Sequence, residues 1–269
     1  MGYKVAAPMS MTLPELRALR DACTGFARDA AREIMRIYAG DLGERTKADR
    51  SPVTDADHAA EAIIVAGLRK LTPDLAVVAE EEMAAGHVPE LKGRPFWLVD
   101  PLDGTKEFIK KNGEFTVNIA LIENGAPRFG VVYLPATDTS YVGLVGKGAT
   151  LQRGAVPTQP IATRRPPVEG LTVLASRSHA NDEALYEFLS TRNVRERISA
   201  GSSLKFCRVA EGIADLYPRF GRTMEWDTAA GQAVLMAAGG TVRKLDGTPL
   251  DYGKPGYENP HFIASGRES

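Results

Sequence analysis

The sequence predicts an α+β protein in two parts, and three observations support this fold class. Apolar residues recur at three- and four-residue steps between residues 16 and 37, which is typical of an amphipathic helix. Short apolar segments between residues 116 and 151 are joined by turn pairs such as Asn124-Gly125. After a proline-rich stretch at 154–167, predicted strands and helices alternate. The predicted domains are an α+β domain at residues 1–153 and an α/β domain at residues 154–269.

The composition is that of an ordinary globular protein. The 269 residues carry a formal net charge of -1, so the charge favours neither nucleic acid nor an anionic membrane as a partner. No apolar run is long enough to span a bilayer, and no signal peptide pattern is present, so neither feature is expected. The two cysteines lack metal-ligand spacing, which indicates a reducing, cytoplasmic setting. Peripheral association with the inner face of the membrane and the oligomeric state stay open.

Two long helices are predicted in the N-terminal part. The first spans residues 12–39, where Thr12 and Glu15 have the spacing of a capping box. The second begins at Thr54 and runs to about residue 71, and the simplest interpretation of Thr54 and Asp57 is again a capping box. The polar residues between the two helices, from 47 to 53, are typical of a solvated loop.

The next two predicted strands both end in carboxylates. The strand at 76–79 runs into Glu80-Glu81-Glu82, and the strand at 96–99 runs into Asp100 and Asp103. Close carboxylates repel each other unless a proton or a cation intervenes, and magnesium prefers oxygen ligands. A polar turn and a solvated helix start are the alternatives, since turns favour Asp, Pro and Gly. Strand ends that lie side by side would instead indicate a metal site.

The remaining elements follow from turn and cap signals. Asn124-Gly125 predicts a hairpin between strands at 116–122 and 128–133, and further strands are expected at 141–145 and 149–151. In the C-terminal part, strands are predicted at 171–175 and 214–217, and a turn is predicted at Asp246-Gly247. Three capped helices are also predicted. The first is capped by Asn181, the second is capped by Ser202-Ser203 and ends at Gly212, and the third is capped by Asp227 and runs to Ala238.

Three separated stretches resemble the inositol monophosphatase superfamily. Residues 97–108 are similar to its D-P-[IL]-D-G-[ST] signature, residues 226–231 to its W-D-x-A-A-G signature, and Glu80-Glu81 to its G-E-E strand end. Residues 47–54, 101–109 and 201–207 resemble the bacterial 3'(2'),5'-bisphosphate nucleotidases of the CysQ type. The resemblance covers nearly the whole chain. It implies a layered α-β-α-β-α sandwich of the inositol monophosphatase and fructose-1,6-bisphosphatase type, with the site between the two domains.

The resemblance also implies roles for individual residues. Asp49 and Thr105 would orient or activate the attacking water, with Glu80 nearby. Ala79 replaces the usual glycine, and the three glutamates leave the register between Glu80 and Glu81 open, with Glu80 favoured because it follows the strand directly. The implied magnesium ligands are Glu80, Asp100, the Leu102 carbonyl, Asp103 and Asp227. The implied substrate-binding residues are Leu102, Asp103, Gly104, Thr105, Ser202, Lys205, Arg219 and Asp227.

The implied activity is hydrolysis of the 3'-phosphate of adenosine 3',5'-bisphosphate to AMP, with two or three magnesium ions and inhibition by lithium. This chemistry would link the protein to sulfur assimilation, and the sulfated nucleotide PAPS is a second implied substrate. An inositol or sugar phosphatase of the same superfamily is the alternative enzyme. A non-catalytic nucleotide or metal sensor is an alternative of another class, although all the candidate acids are intact. The formal net charge of -1 gives no support to the hypothesis that the protein binds nucleic acid.

Overall fold

A computed structural model of the chain describes residues 11–49, 51–175 and 183–267. The predicted cap Asn181 lies outside these residues. The helices are α1 (Leu13–Tyr38), α2 (Asp55–Leu71), α3 (Glu80–Ala84), α4 (Thr105–Ile109), α5 (Glu183–Ser190), α6 (Leu204–Ala210) and α7 (Glu225–Ala237). The strands are β1 (Arg45–Thr46), β2 (Pro52–Val53), β3 (Ala76–Ala79), β4 (Phe96–Asp103), β5 (Thr116–Glu123), β6 (Ala126–Leu134), β7 (Thr139–Leu144), β8 (Gly148–Arg153), β9 (Gln159–Ile161), β10 (Leu171–Ala175), β11 (Val194–Ser199), β12 (Leu216–Arg219), β13 (Thr241–Lys244) and β14 (Phe262–Ser265).

The two N-terminal helices begin where the capping signals predict. The Thr12 N–H and hydroxyl both donate to Glu15 Oε2 at 2.7 Å, directly before α1. The Thr54 N–H and hydroxyl both donate to Asp57 Oδ2 at 2.7 Å, directly before α2. These bonds satisfy donors that a helix N-terminus otherwise leaves unpaired. Both predicted helices are therefore confirmed. None of the helices in the described ranges has the length and hydropathy of a transmembrane segment.

The first sheet contains seven strands in the order β3-β4-β5-β6-β7-β8-β9. Only the β3–β4 pair is parallel, so the sheet is largely antiparallel, and the predicted hairpin of β5 and β6 is confirmed. Asn124 and Gly125 have φ angles of 53° and 73°, as the predicted two-residue hairpin turn requires. Strand β9 continues the sheet past residue 153, where the first domain was expected to end. The division into two domains stays a prediction.

The second sheet has the order β11-β10-β12-β14-β13 and mixes parallel with antiparallel pairs. Strand β11 was not predicted from the sequence. It is an edge strand whose Arg195, Glu196 and Arg197 are all exposed, so it lacks the apolar alternation that reveals a half-buried strand. The turn at Asp246-Gly247 is confirmed, since Gly247 has a φ of 83° and the Gly247 N–H donates to Lys244 O at 2.9 Å.

The elements form five layers. Helices α1 and α2 cover one face of the first sheet, and α7 packs against strands β4 to β7 on its other face. Helices α6 and α7 also contact the second sheet, so they form the layer between the two sheets. Leu185 and Leu189 of α5 pack with Val173 and Leu216 on the outer face of the second sheet. The expected α-β-α-β-α sandwich is thereby confirmed.

Helix α7 approaches the first sheet very closely. A Cβ atom on Gly143 would lie 2.5 Å from the Cα atom of Val234, and one on Gly130 would lie 2.5 Å from the Ala230 carbonyl oxygen. On the other side, a Cβ atom on Gly231 would lie 2.5 Å from the Phe206 ring. The small residues of the W-D-x-A-A-G stretch therefore let this helix pack tightly between the two sheets.

Two of the predicted caps are wrong in detail. Helix α7 begins at Glu225, so Asp227 is its third residue and accepts the N–H of Met224 at 2.8 Å rather than occupying the cap position. Ser203 precedes α6, but in the described structure its side chain makes no cap bond and the Ser203 hydroxyl instead donates to Asn118. The Ser203 side chain thus contacts β5 of the first sheet.

We expect Gly143→Ala to lower the free energy of unfolding by about 1–3 kcal/mol, because the added methyl group overpacks the contact with α7. The measurement is a urea unfolding curve with an unchanged m-value. Gly25→Ala is the matched control, since Gly25 lies in α1 and a methyl group there would meet none of the described neighbouring segments within 4 Å. The control should gain up to about 1 kcal/mol from helix propensity. Equal midpoints for Gly143→Ala and the natural protein would contradict the packing argument.

Candidate metal and phosphate site

Three carboxylates from separate elements converge at one end of the layer between the sheets. Glu80 follows β3 directly, Asp100 lies in β4, and Asp227 lies in the first turn of α7. Each offers a carboxylate oxygen, and these oxygens lie within 4.8 Å of one another. Within the described residues, this is the group of acidic side chains whose geometry suits a metal ion.

The topology explains why two of these acids meet. Strands β3 and β4 are parallel neighbours, so their C-terminal ends lie at the same edge of the sheet. The pairing of β4 with β5 shifts register between Asp100 and Asp103, where Pro101 has no N–H to donate. The Asp100 carboxylate accepts the Leu102 N–H at 3.0 Å across this irregularity. The expected juxtaposition of two acidic strand ends is therefore found.

Burial and mutual repulsion make the charged form of this cluster unfavourable. Burial, followed by the charges of Glu80, Asp103 and Asp227, raises the pKa of Asp100 well above its usual range. Burial, with Asp103 and Glu80, likewise raises the pKa of Asp227. Burial raises the pKa of Asp103 to about 6, although Lys205 and the Ser203 N–H oppose the shift. A divalent cation with oxygen ligands fits this donor set, since it would neutralise charges that otherwise require protons.

A lysine contacts both of the neighbouring glutamates. Lys47 Nζ lies 2.7 Å from Glu80 and 2.5 Å from Glu81, and the Glu81 side chain is only 4% exposed. Burial and the Glu80 charge raise the pKa of Glu81 to about 7. Burial alone would lower the pKa of Lys47, but the two carboxylates more than offset this and leave it raised. Glu80 joins the acid cluster while Glu81 is held by Lys47. The interpretation of Lys47 as a solvated loop residue is wrong.

The acid beside Thr105 differs from the one expected. The Thr105 hydroxyl lies 3.2 Å from Asp57 Oδ1 and 3.4 Å from the Leu102 carbonyl. Asp49 is exposed and accepts the N–H and hydroxyl of Ser51 at 3.0 and 2.6 Å; within the described residues it makes no bond to Thr105. The structure therefore pairs Thr105 with Asp57, which the sequence pattern had indicated only as a helix cap.

Asp57 both caps α2 and contacts Thr105, because a carboxylate has two oxygens. Oδ2 caps α2 through Thr54, and Oδ1 is left to accept from Thr105, which lies 48 positions later in the chain. Burial raises the pKa of Asp57, and the Thr54 bonds oppose the shift. The signal that could have revealed this second contact is the depth of burial, since a cap carboxylate on a helix surface would be solvated.

A cleft of about 200 Å³ adjoins the acid cluster. Gly104 has a φ of 96° and a Cβ atom there would lie 3.2 Å from the Glu114 carbonyl, so the turn requires glycine. Three of the cleft residues are cationic: Lys106, Lys205 and Arg219. The lining residues that were expected to bind substrate are Asp103, Gly104, Ser202, Lys205, Arg219 and Asp227. The structure thus gathers these six residues around one cleft.

Two of the cationic side chains donate hydrogen bonds to backbone carbonyls of the protein. Lys205 Nζ donates to the carbonyls of Ala200 at 3.2 Å and Ser202 at 2.7 Å, and burial lowers the pKa of Lys205 to about 8. Arg219 Nη2 donates to the Arg222 carbonyl at 2.9 Å. These bonds hold the loop before α6 and the loop after β12 at the walls of the cleft.

A support for α7 was not anticipated from the sequence. Asn259 Nδ2 lies 2.7 Å from the Met224 carbonyl and 3.0 Å from the Thr228 hydroxyl, on either side of Asp227. The fully buried Glu225 accepts the N–H groups of Gly253 and Lys254 at 2.7 and 2.9 Å. The C-terminal loop therefore holds the turn that carries Asp227.

Comparison with known proteins gives a consistent result. The model of the inositol monophosphatase family matches residues 15–266. The Escherichia coli K12 protein named 3'(2'),5'-bisphosphate nucleotidase CysQ is 49% identical over 248 residues, which cover 91% of this chain and 98% of that relative. The crystal structure of CysQ from Bacteroides thetaiotaomicron has a TM-score of 0.79 and 37% identity, covering 94% of this chain and 98% of that one. An inositol monophosphatase from Thermotoga maritima has a TM-score of 0.76 and 26% identity, covering 93% and 92% of the two chains.

In a cation-free buffer, we expect the protein to lose stability as pH rises from about 5 to 8. Burial raises the pKa of Glu61 to about 7, as it does for Glu81, and Asp103 titrates at about 6. Unfolded carboxyls titrate near pH 4, so the folded state binds more protons in this window and is favoured at its acidic end.

Magnesium should therefore raise the melting temperature more at pH 8 than at pH 6, because it replaces protons on the cluster. Differential scanning calorimetry with EDTA or magnesium at both pH values checks this. A melting temperature in EDTA that rises steadily from pH 5 to 8 would contradict the argument.

Proposed function

The chain belongs to the inositol monophosphatase family, and we propose that it is a magnesium-dependent phosphatase that hydrolyses adenosine 3',5'-bisphosphate to AMP and phosphate. The observation that carries this proposal is the convergence of Glu80, Asp100 and Asp227 beside a cleft with cationic walls. An acid cluster next to cations suits a metal-assisted reaction of a phosphate ester. The nucleotide is proposed because CysQ relatives match the chain over nearly their whole length. The corresponding role would lie in sulfur assimilation.

The residues that would hold the ions are Glu80, Asp100, Asp103, Asp227 and the Leu102 carbonyl. Carboxylate and carbonyl oxygens are the donors that magnesium prefers. When bound, two or three such ions would polarise the phosphate and lower the pKa of a bound water. Lys47, which contacts Glu80 in the structure, would keep Glu81 out of this ligand set.

Asp57 and Thr105 would orient the attacking water. Because the Thr105 hydroxyl donates to the buried Asp57 carboxylate, the Thr105 oxygen keeps its lone pairs for a proton of water. Asp57 would then accept the proton that Thr105 passes on, as general base catalysis requires. This pair replaces the Asp49–Thr105 pair that the sequence resemblance suggested, and Asp49 is left on the surface.

We expect the cations of the cleft to favour a bisphosphate over a monophosphate. Gly104 and Thr105 would contact the phosphate that is removed, while Lys106, Lys205 and Arg219, which line the same cleft, would provide positive charge for a second phosphate. A nucleotide that carries a second phosphate would use these charges, whereas an inositol monophosphate would not. Ser202, at the start of the loop before α6, would contact the nucleotide as well.

A substrate panel is the direct test. We expect phosphate release with magnesium to be fastest from adenosine 3',5'-bisphosphate, slower from PAPS, and slowest from inositol monophosphate. Lithium should lower the rate.

Asp100→Asn should reduce the rate by at least about 100-fold, since it removes a charge from the cluster. Asp29→Asn, on the exposed face of α1, is the control and should retain full activity. Preference for inositol monophosphate would favour a sugar phosphatase, and tight nucleotide binding without turnover would favour a sensor.

The Asp57–Thr105 pair can be tested against Asp49. We expect Thr105→Val and Asp57→Asn each to lower kcat by about 100-fold or more, with a smaller change in KM, because general base assistance is lost. Asp49→Asn should change kcat by less than about threefold. Steady-state kinetics with saturating magnesium checks the three variants. A large loss for Asp49→Asn together with near-normal kcat for Asp57→Asn would reverse the assignment.

A further inference from the structure

A buried amide near the acid cluster has a donor without a partner. Asn118 lies in β5 and is 0% exposed. Its Oδ1 atom accepts the Ser203 hydroxyl at 2.7 Å, but among the described residues its Nδ2 atom has no hydrogen-bond partner. Leaving a buried donor unpaired costs about 1–3 kcal/mol. Such a residue therefore suggests an acceptor that is present only when the site is occupied.

The sheet register directs Asn118 toward the acid cluster. Asn118 is the cross-strand partner of Asp100 in the antiparallel β4–β5 pair. Leu98 and Ala120, two residues from each of them, belong to the core between the two sheets. Because side chains on a strand alternate between faces, Asp100 and Asn118 point into this same layer. Directly opposed side chains have Cβ atoms about 5 Å apart.

Asn118 is also connected to the second acid of β4. Ser203, whose hydroxyl donates to Asn118 Oδ1, uses its backbone N–H to bind Asp103 Oδ2 at 2.6 Å. The Ser203 hydroxyl lies 2.8 Å from that of Thr116, which is the cross-strand partner of Asp103. A buried polar cluster of Thr116, Asn118 and Ser203 thus joins β5 to the loop before α6.

We propose that Asn118 is a positioning residue for the acids of β4. Through Ser203 it holds the backbone N–H that orients Asp103, and its free Nδ2 donates to an oxygen of the occupied site beside Asp100. The inference rests on the proposed function for the identity of the occupied site. It adds a residue that neither the motifs nor the acid cluster include. Groups that hydrogen-bond to metal-ligating carboxylates typically contribute 10–100-fold to metal affinity or activity.

The main test compares magnesium binding by Asn118→Ala and by the natural protein. We expect the dissociation constant for magnesium, measured by isothermal titration calorimetry, to rise by about tenfold. The magnesium-induced rise in melting temperature should shrink, while the melting temperature in EDTA changes less, because the substitution removes a donor whose acceptor would be the oxygen of a water bound to the ion. Ser140→Ala is the matched control, since Ser140 is a buried polar residue of the same sheet, in β7. It should leave magnesium binding unchanged.

A double-mutant cycle tests the connection through Ser203. Ser203→Ala removes the hydroxyl but keeps the N–H that binds Asp103, so it should weaken magnesium binding less than Asn118→Ala does. The double variant should bind magnesium no more weakly than Asn118→Ala alone, since the two residues act in one chain of contacts. Additive losses, or natural magnesium affinity in Asn118→Ala, would overturn the proposal. If Asn118→Ala does not fold, natural magnesium affinity in Ser203→Ala would overturn it instead.

Failure of the proposed function would look different. If the natural protein binds magnesium but releases no phosphate from adenosine 3',5'-bisphosphate, the proposed substrate is wrong. The effect of Asn118→Ala on magnesium binding would still decide whether Asn118 positions the acids. Conversely, normal turnover in the natural protein with unchanged magnesium binding in Asn118→Ala would reject only the role of Asn118.

Discussion

The repulsion among carboxylates at the end of the central layer is the constraint on which the rest of the structure depends. Glu80, Asp100 and Asp227 lie on separate elements, yet their oxygens are within 4.8 Å of one another. Burial and neighbouring charge raise the pKa of Asp100 and Asp227, so a rigid scaffold must hold these groups together. The close contact of α7 with Gly130 and Gly143 provides that rigidity, because neither glycine has a side chain to keep the helix away.

The surroundings of the cluster are held by partners from distant parts of the chain. Ser203 holds Asp103, Lys47 bridges Glu80 and Glu81, and Asn259 supports the turn that carries Asp227. These contacts bring together the loop before α2, the loop before α6 and the C-terminal loop. Without these contacts, the carboxylates would be solvated or protonated separately. With them, the carboxylates are arranged to bind a divalent cation together.

Most regular elements were predictable because their signals are local. The capping boxes at Thr12 and Thr54 and the hairpin at Asn124-Gly125 need only a few neighbouring residues to form, and all of them are confirmed. Strand β11 was missed because an exposed edge strand lacks the apolar alternation that marks a half-buried strand. Ser203 was misassigned as a cap, since the alternative partner Asn118 lies 85 positions away.

By itself, the sequence determined the α+β class and most of its helices and strands, and it placed acids at the ends of the strands at 76–79 and 96–99, because periodicity and turn chemistry depend on adjacent residues. The layered arrangement of these elements was implied only by the family resemblance. Only the tertiary structure decided which partner each polar group meets. It paired Thr105 with Asp57 rather than Asp49, and it placed the amide of Asn118 opposite Asp100. The physical reason is that a carboxylate or amide can serve several partners. The choice among them depends on burial and on contacts between segments far apart in the chain.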